Sequence, residues 1–457
     1  MDLTRRLVKH IMGARYEDLT AETVEITKKL FLDTLGTTIA GSSAEKSKTL
    51  VDLVKGWGGK EESSVLIYGG RVPAHHAALV NCTMARALDL DDVHEAGGGH
   101  LSATFMPVSL LLAEYMQRPV SGRELILAIA MSSDLACRIR CALTTYPGWL
   151  AETIAPLGVA AMGGKLLGFD EERLINGMGL AYSQCSGNLQ ANLDGALTVR
   201  LQQGMGAKAG VLATVLAERG FTGAKDVFEG LYGFYKLYGQ GKYNAEVITD
   251  QLGKRFEIVN DSIKPYPCCK YTHMPIYGTL ELLKEHRLAP EEINKITIFT
   301  NSNGYNVTVV GDYKYQLRNT VDAQFSIPYT VAAAAIRGKV FIDDFTEASI
   351  RDRKVLEFAQ KVKAEIDPEL DKIPQMISPT RIELETRSGR HYSKYVEYVK
   401  GHPKNPMTMA EVIEKFQNCL RFAAIPLRQE QITQLIRLVS NLEEMDDVRR
   451  LTQLLIA

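Results

Sequence analysis

Apolar positions recur at three- and four-residue spacing through roughly the first 250 residues, the pattern that gathers them on one face of a helix. "LTAETVEITKKLFLDTLGTTIAG" predicts a helix opened by Thr20 and closed at Gly41. "SGRELILAIAMSSDLACRIRCAL" begins with Ser121 and Glu124 at capping-box spacing, so each side chain can satisfy an amide that the first helical turn leaves orphaned. "TIAPLGVAAMGGKLLGFDEERLINGMGLAYSQCSGN" reads as two helices with a turn at Gly168. Its small residues, like those of "GMGAKAG" at Gly204 to Gly210, predict helix backbones in close approach within a buried bundle.

Near residue 255 the pattern changes. "RFEIVNDSIKPYPCC", "INKITIFTN" and "TRIELETRSGRHYSKYVEYV" predict β-structure, the last a hairpin turning at Ser-Gly. Helices are expected at "MPIYGTLELLKEH", "AQFSIPYTVAAAAIRG" and "RDRKVLEFAQKVKAE". After the connector "KGHPKNPMT" the helical period returns and runs to the end of the chain. The fold class expected is therefore mainly α: a large helical domain from residues 1–257 and 403–457, with a smaller α+β domain over 258–402.

Composition narrows the function classes. Hydrophobic residues make up 46% and charged residues 23%, an ordinary globular balance. With 53 basic and 54 acidic residues there is no net field to draw in nucleic acid or an anionic membrane. The opening "MDLTRRLVKHIMG" lacks a signal peptide's apolar core, and no apolar run reaches membrane-spanning length, so a soluble, cytoplasmic protein is expected. Seven scattered cysteines without a CxxC pair fit reduced thiols.

Chemistry concentrates in two stretches. In "ALDLDDVHEAGGGHLSATFMP", Asp89, Asp91, Asp92, His94 and His100 surround a glycine run. A metal centre is the weaker reading, because adjacent Asp91 and Asp92 point in different directions; no metal is expected. A histidine oriented by a carboxylate is the stronger one: His100, held by Asp89, precedes a helix whose free amides favour an anionic ligand. His94 is expected at the surface. In "SIKPYPCCKYTH", Lys264, Lys270, Tyr271 and His273 offer cations for carboxylates and a second base, while Cys268 and Cys269 are expected to serve packing. Neither "GVAAMGGKLLG" nor "GMGAKAG" has the context of a phosphate or dinucleotide loop.

Eight blocks in order, "LFLDTLGTTIAG", "NCTMARALDLDDVH", "HLSATFMP", "GVAAMGGKLLGFD", "GALTVRLQQGMGAKAGVLA", "PYPCCKYTH", "DAQFSIPY" and "KGHPKNPMT", make the chain resemble the MmgE/PrpD family over nearly its whole length. That family includes 2-methylcitrate dehydratase, cis-aconitate decarboxylase and iminodisuccinate epimerase. The resemblance implies a helical domain built from both chain ends, a smaller α+β lid domain, an active site between them, a homodimer, and catalysis without metal or organic cofactor. It carries three catalytic positions onto Asp89, His100 and His273.

Four positions depart from the family pattern. Val93 replaces a threonine after the double aspartate, and Trp149 stands where "GFHPT" has histidine. In the counterpart of "KRLH", Val199 replaces lysine and Gln202 replaces histidine, while Arg200 is kept. Losing a base and a cation removes groups that each contribute on the order of several kcal/mol in preorganised sites, so the substrate or reaction is expected to have shifted. The expected chemistry is proton removal next to a carboxylate of a small di- or tricarboxylic acid, with Arg200, Lys264, Lys270 and Tyr271 binding substrate. Dehydration ranks first, then epimerisation, then decarboxylation; the non-enzyme alternative is a catalytically impaired carboxylate sensor.

Overall fold

The computed structural model describes residues 2–145, 148–373 and 375–456. Most of the chain is helical, and it divides into two compact units. The first comprises Met1–Leu189, Thr198–Asp261 and Met407–Ala457; the second comprises Gln190–Leu197 and Ser262–Pro406.

In the first unit, Ala21–Gly41 is a helix with Thr20 accepting from the Thr23 amide, and Ser121 and Glu124 form the capping box of helix Gly122–Cys141. The helices Ala155–Leu167 and Glu171–Tyr182 meet at Gly168, whose φ of 67° favours glycine. Thr198–Glu218 packs on Ala74–Arg86 and on Ala155–Leu167. The contact is tight because Gly204 faces the backbone: a Cβ there would lie 2.1 Å from the Leu79 carbonyl oxygen. Helix Met409–Leu420 packs on Ala21–Gly41, where Lys415 Nζ is 2.6 Å from Asp33 Oδ1. Besides its helices the unit carries a two-residue ladder, Ser63–Ser64 against Arg71–Val72.

The second unit is built on a four-stranded sheet in the order Val362–Ile366, Ile293–Thr300, Thr380–Thr386, His391–Val396. The first pair is parallel and the others antiparallel. Helices His273–Glu285 and Ile327–Arg337 cover it, burying Ile296, Ile298, Ile382 and Leu384. The predicted hairpin is present, with Gly389 at φ 79° in its turn.

Two local expectations fail. "RFEIVNDSIKPYPCC" forms a short 3-10 turn, Glu257–Asn260, and only a two-residue strand, Asp261–Ser262; Pro265 and Pro267 lack the amide a longer ladder would need. The expected helix in "RDRKVLEFAQKVKAE" stops at Ala359, and Val362–Ile366 is a strand. Its main chain pairs in register with Ile296 to Thr300, and that tertiary pairing outweighs a helix-compatible composition. Among the described residues, no helix is long and apolar enough to cross a membrane.

Candidate functional site

Helix Ala74–Arg86 ends in a cation, as the negative end of its dipole favours. The chain then turns through Asp89, which takes φ 55°, a conformation uncommon outside glycine but tolerated by aspartate. This turn folds the carboxylates back on the helix end. Arg86 Nη1 donates to Asp89 Oδ1 and, at 3.3 Å, to Asp91 Oδ1. Burial opposes the guanidinium charge, yet Asp91, Asp89 and Glu152 together raise its pKa above the usual arginine value.

His100 sits beside this network with 14% of its side chain exposed, enough for a ligand to reach it. Its Nδ1 lies 2.7 Å from the Asp92 carbonyl oxygen and 3.1 Å from Asp91 Oδ2. The carbonyl acceptor on that edge, with the carboxylate close by, places the ring proton on Nδ1 and leaves a lone pair on Nε2. Arg86 Nη2 is 3.3 Å from Nε2, and Glu152 Oε1 is 3.9 Å away. The ring's backbone is fixed as well: the His100 amide donates to Glu152 Oε1 at 3.3 Å, and Gln203 Nε2 donates to the His100 carbonyl at 2.8 Å. The Ser102 amide at the start of the following helix donates to Asp92 Oδ2 at 3.2 Å. Burial, then the Asp91 carboxylate, raises the Asp92 carboxyl to about 6.

It is Asp91 whose carboxylate lies 3.1 Å from Nδ1, while Asp89, the residue the sequence points to, is bonded to Arg86 beyond the positive-φ turn. Arg200 is buried, which lowers its pKa to about 10, opposed by the Asp89 carboxylate. His94 is fully buried, contrary to its expected surface place. Its amide donates to the Gly99 carbonyl and its Nδ1 accepts from the Gly97 amide at 2.8 Å, so the glycine run curls over the ring.

The four departures from the family pattern are all buried side chains. Trp149 Nε1 donates to the Tyr238 carbonyl at 2.9 Å, and Arg140 lies 5.4 Å from its ring centroid. Gln202 uses both ends of its amide on Asn188, accepting from the backbone N–H at 2.6 Å and donating to the carbonyl at 3.2 Å. Val93 and Val199 are 3% exposed each, so neither offers polar chemistry.

The second unit carries the other predicted group. Lys264, Lys270 and His273 are buried and Tyr271 is half-buried. His273 Nε2 is 3.0 Å from the Cys268 carbonyl, and its ring meets Tyr266 edge-on at 5.3 Å. Helix Thr320–Gln324 holds the same loop: the Cys269 amide donates to the Gln324 carbonyl and Gln324 Nε2 donates to Pro267. Lys314, not singled out by its sequence, is a third buried lysine here; burial lowers its pKa to about 8, with Cys269 and Asp322 opposing. Arg86 and Glu152 were equally silent in the sequence. The only signal for Arg86 is arithmetic: several buried carboxylates in "ALDLDD" require a buried cation.

Two family models match the chain. The MmgE/PrpD N-terminal domain matches residues 5–246 and the MmgE/PrpD C-terminal domain matches residues 266–442. A cis-aconitate decarboxylase-like protein, oryM, of Aspergillus oryzae is 25% identical over 474 residues, covering 99% of this chain and 97% of the relative. The cis-aconitate decarboxylase of Aspergillus terreus is 24% identical, covering 96% and 93%. The human cis-aconitate decarboxylase is 26% identical, covering 99% and 94%. With both domains matched in order across most of its length, the chain belongs to the MmgE/PrpD family.

Proposed function

We propose that this protein is a lyase of small di- or tricarboxylic acids that removes a proton from the carbon next to a carboxylate through Nε2 of His100. The observation that carries the reading is the ring's polarity. The Asp92 carbonyl accepts from Nδ1, with the Asp91 carboxylate 3.1 Å away, which leaves the Nε2 lone pair to face Arg86 on a ring that is partly exposed. Arg86, 3.3 Å from Nε2, is a donor that can move its hydrogen bond to the carboxylate of a bound substrate when Nε2 takes the proton. Arg200 is assigned to substrate charge, as are Lys264, Lys270 and Tyr271 of the second unit. His273 is assigned as the second acid–base group. A homodimer is the assembly this reading adopts from the family.

Expulsion of hydroxide from the resulting carbanion gives a dehydratase, the outcome placed first. Decarboxylation is the second reading, and the named activity of the relatives favours it. At about a quarter identity, and with Trp149, Val199 and Gln202 committed to packing or backbone hydrogen bonds, that activity is not carried over as it stands.

The test is proton NMR in deuterated water with citrate, methylcitrate, aconitate, malate and amino- or iminosuccinates. New vinylic signals from citrate, methylcitrate or malate establish dehydration, and loss of carbon dioxide from aconitate with a new carbon-bound deuteron establishes decarboxylation. Deuterium uptake without net conversion means epimerisation. Binding without exchange on any of these acids sinks the enzymatic reading in favour of a carboxylate sensor.

A further inference from the structure

Away from Nε2 of His100, the first unit holds a second cluster that the proposed chemistry does not use. A ring nitrogen of His94, Cys137 Sγ and a carboxylate oxygen of Asp261 all lie within 4.8 Å of one another, and all three residues are buried. They come from three parts of the chain: the two-residue strand Val93–His94, the helix Gly122–Cys141, and the residue following the 3-10 turn Glu257–Asn260. Cys141, one helical turn beyond Cys137, places its Sγ 4.0 Å from His94 Nδ1. The loops are fastened together by the Glu95 amide, which donates to the Asn260 carbonyl.

Packing alone does not account for these side chains. Both carboxylate oxygens of Asp261 are buried without a hydrogen-bond partner among the described residues, as are His94 Nε2 and Asp92 Oδ1. A buried carboxyl group without a hydrogen-bond partner costs about 1–3 kcal/mol, and an apolar residue would fill the same space at no such cost. Imidazole, thiolate and carboxylate together form a donor set suited to a borderline-soft divalent cation.

We propose that His94, Cys137 and Asp261 bind a structural Zn²⁺ ion, with Cys141 completing the coordination. Tetrahedral bonds of about 2.0 to 2.3 Å set ligand atoms roughly 3.5 Å apart, so the cluster contracts by about 1 Å as the ion enters. Each thiol that ligates loses its proton to solvent, and His94 ligates as the neutral ring. In the present form the Gly97 amide donates to Nδ1, which puts the ring proton on Nε2, 3.6 Å from Glu257 Oε2. An ion on Nδ1 replaces the Gly97 amide and leaves Nε2–H facing that carboxylate; one on Nε2 moves the ring proton to Nδ1. Either way the ion ties the glycine run before His100 to the helix Gly122–Cys141. It takes no part in proton transfer, so the proposal stands or falls apart from the assigned reaction.

The experiment is titration of chelator-treated, reduced protein with Co²⁺ and then Zn²⁺, read by absorbance and by thermal melting. One Co²⁺ per chain is expected, with a thiolate-to-cobalt charge-transfer band that Zn²⁺ abolishes, and Zn²⁺ raises the melting midpoint. Cys137→Ser with Cys141→Ser removes the band, and Asp261→Asn weakens binding at least about tenfold. Cys419→Ser, on the helix Met409–Leu420, changes neither. Ions held by the neighbouring His75 and His76 rings, 4.2 Å apart, carry no sulfur band, which separates them from this site. Wild-type protein without a stoichiometric sulfur band overturns the proposal whether or not the variants fold; so does a band that survives in a folded Cys137→Ser, Cys141→Ser protein.

Discussion

Asp91 Oδ2 lies 3.1 Å from Nδ1 of His100, while Asp91 Oδ1 accepts from Arg86 at 3.3 Å. One buried carboxylate therefore links the imidazole to the guanidinium that faces its other nitrogen. Replacing it with asparagine keeps the shape and removes the charge. Asp91→Asn is expected to lower kcat by about tenfold or more with little change in KM, because the ring loses its orienting anion while the substrate-binding groups stay. Steady-state kinetics on the substrate identified by NMR checks this; an unchanged kcat removes Asp91 from the account.

Arg86 compensates at least two buried carboxylates, so its loss should cost stability as well as activity. Arg86→Met leaves Asp89 and Asp91 buried without their shared cation and is expected to destabilise the fold by about 3–5 kcal/mol. Urea unfolding midpoints compared with wild type measure the difference. A shift below about 1 kcal/mol would mean that Arg86 does not hold the carboxylates in place.

Two glycines separate close packing from mere flexibility. Gly204→Ala pushes a methyl group to 2.1 Å from the Leu79 carbonyl and should destabilise by about 1–3 kcal/mol or more. Gly13→Ala, at the end of helix Leu3–Gly13 with nothing within 4 Å, should instead be neutral or add up to about 1 kcal/mol. Thermal melts of the two variants should move apart, and a common direction contradicts the packing assigned to Gly204.

The sequence makes the helical half of this fold readable because its signals are local. Thr20, the Ser121 and Glu124 pair and Gly168 each act within one turn of the chain, and each lies where its helix begins or ends. Val362–Ile366 is not legible as a strand because its partner is some 60 residues away, and no local pattern reports a parallel pairing of that kind. His100 is legible as a histidine beside acids and glycines. Which acid reaches it is not, since that depends on the positive φ of Asp89, and His94 is buried by a glycine run that composition alone suggests is exposed.

Acid should weaken the fold through His10. Burial, then the charges of Arg138 and Lys165, lowers its pKa to about 4, with Asp18 acting in the opposite direction. Between pH 4 and 6.5 the unfolded chain binds a proton that the folded chain does not, so stability falls as pH drops through that window. The loss is on the order of 1 kcal/mol once partial exposure is allowed for, and it is complete below the lower value. His10→Gln should flatten this part of the curve of unfolding free energy against pH; an unaltered slope would assign the acid loss to other groups.

The most direct test of the central assignment is the rate at which deuterium enters the carbon next to a substrate carboxylate, compared between wild type and His100→Ala. The account predicts that the variant melts like wild type and still binds the acid, but exchanges at least about a hundredfold more slowly. Exchange at the wild-type rate would show that some group other than His100 removes the proton.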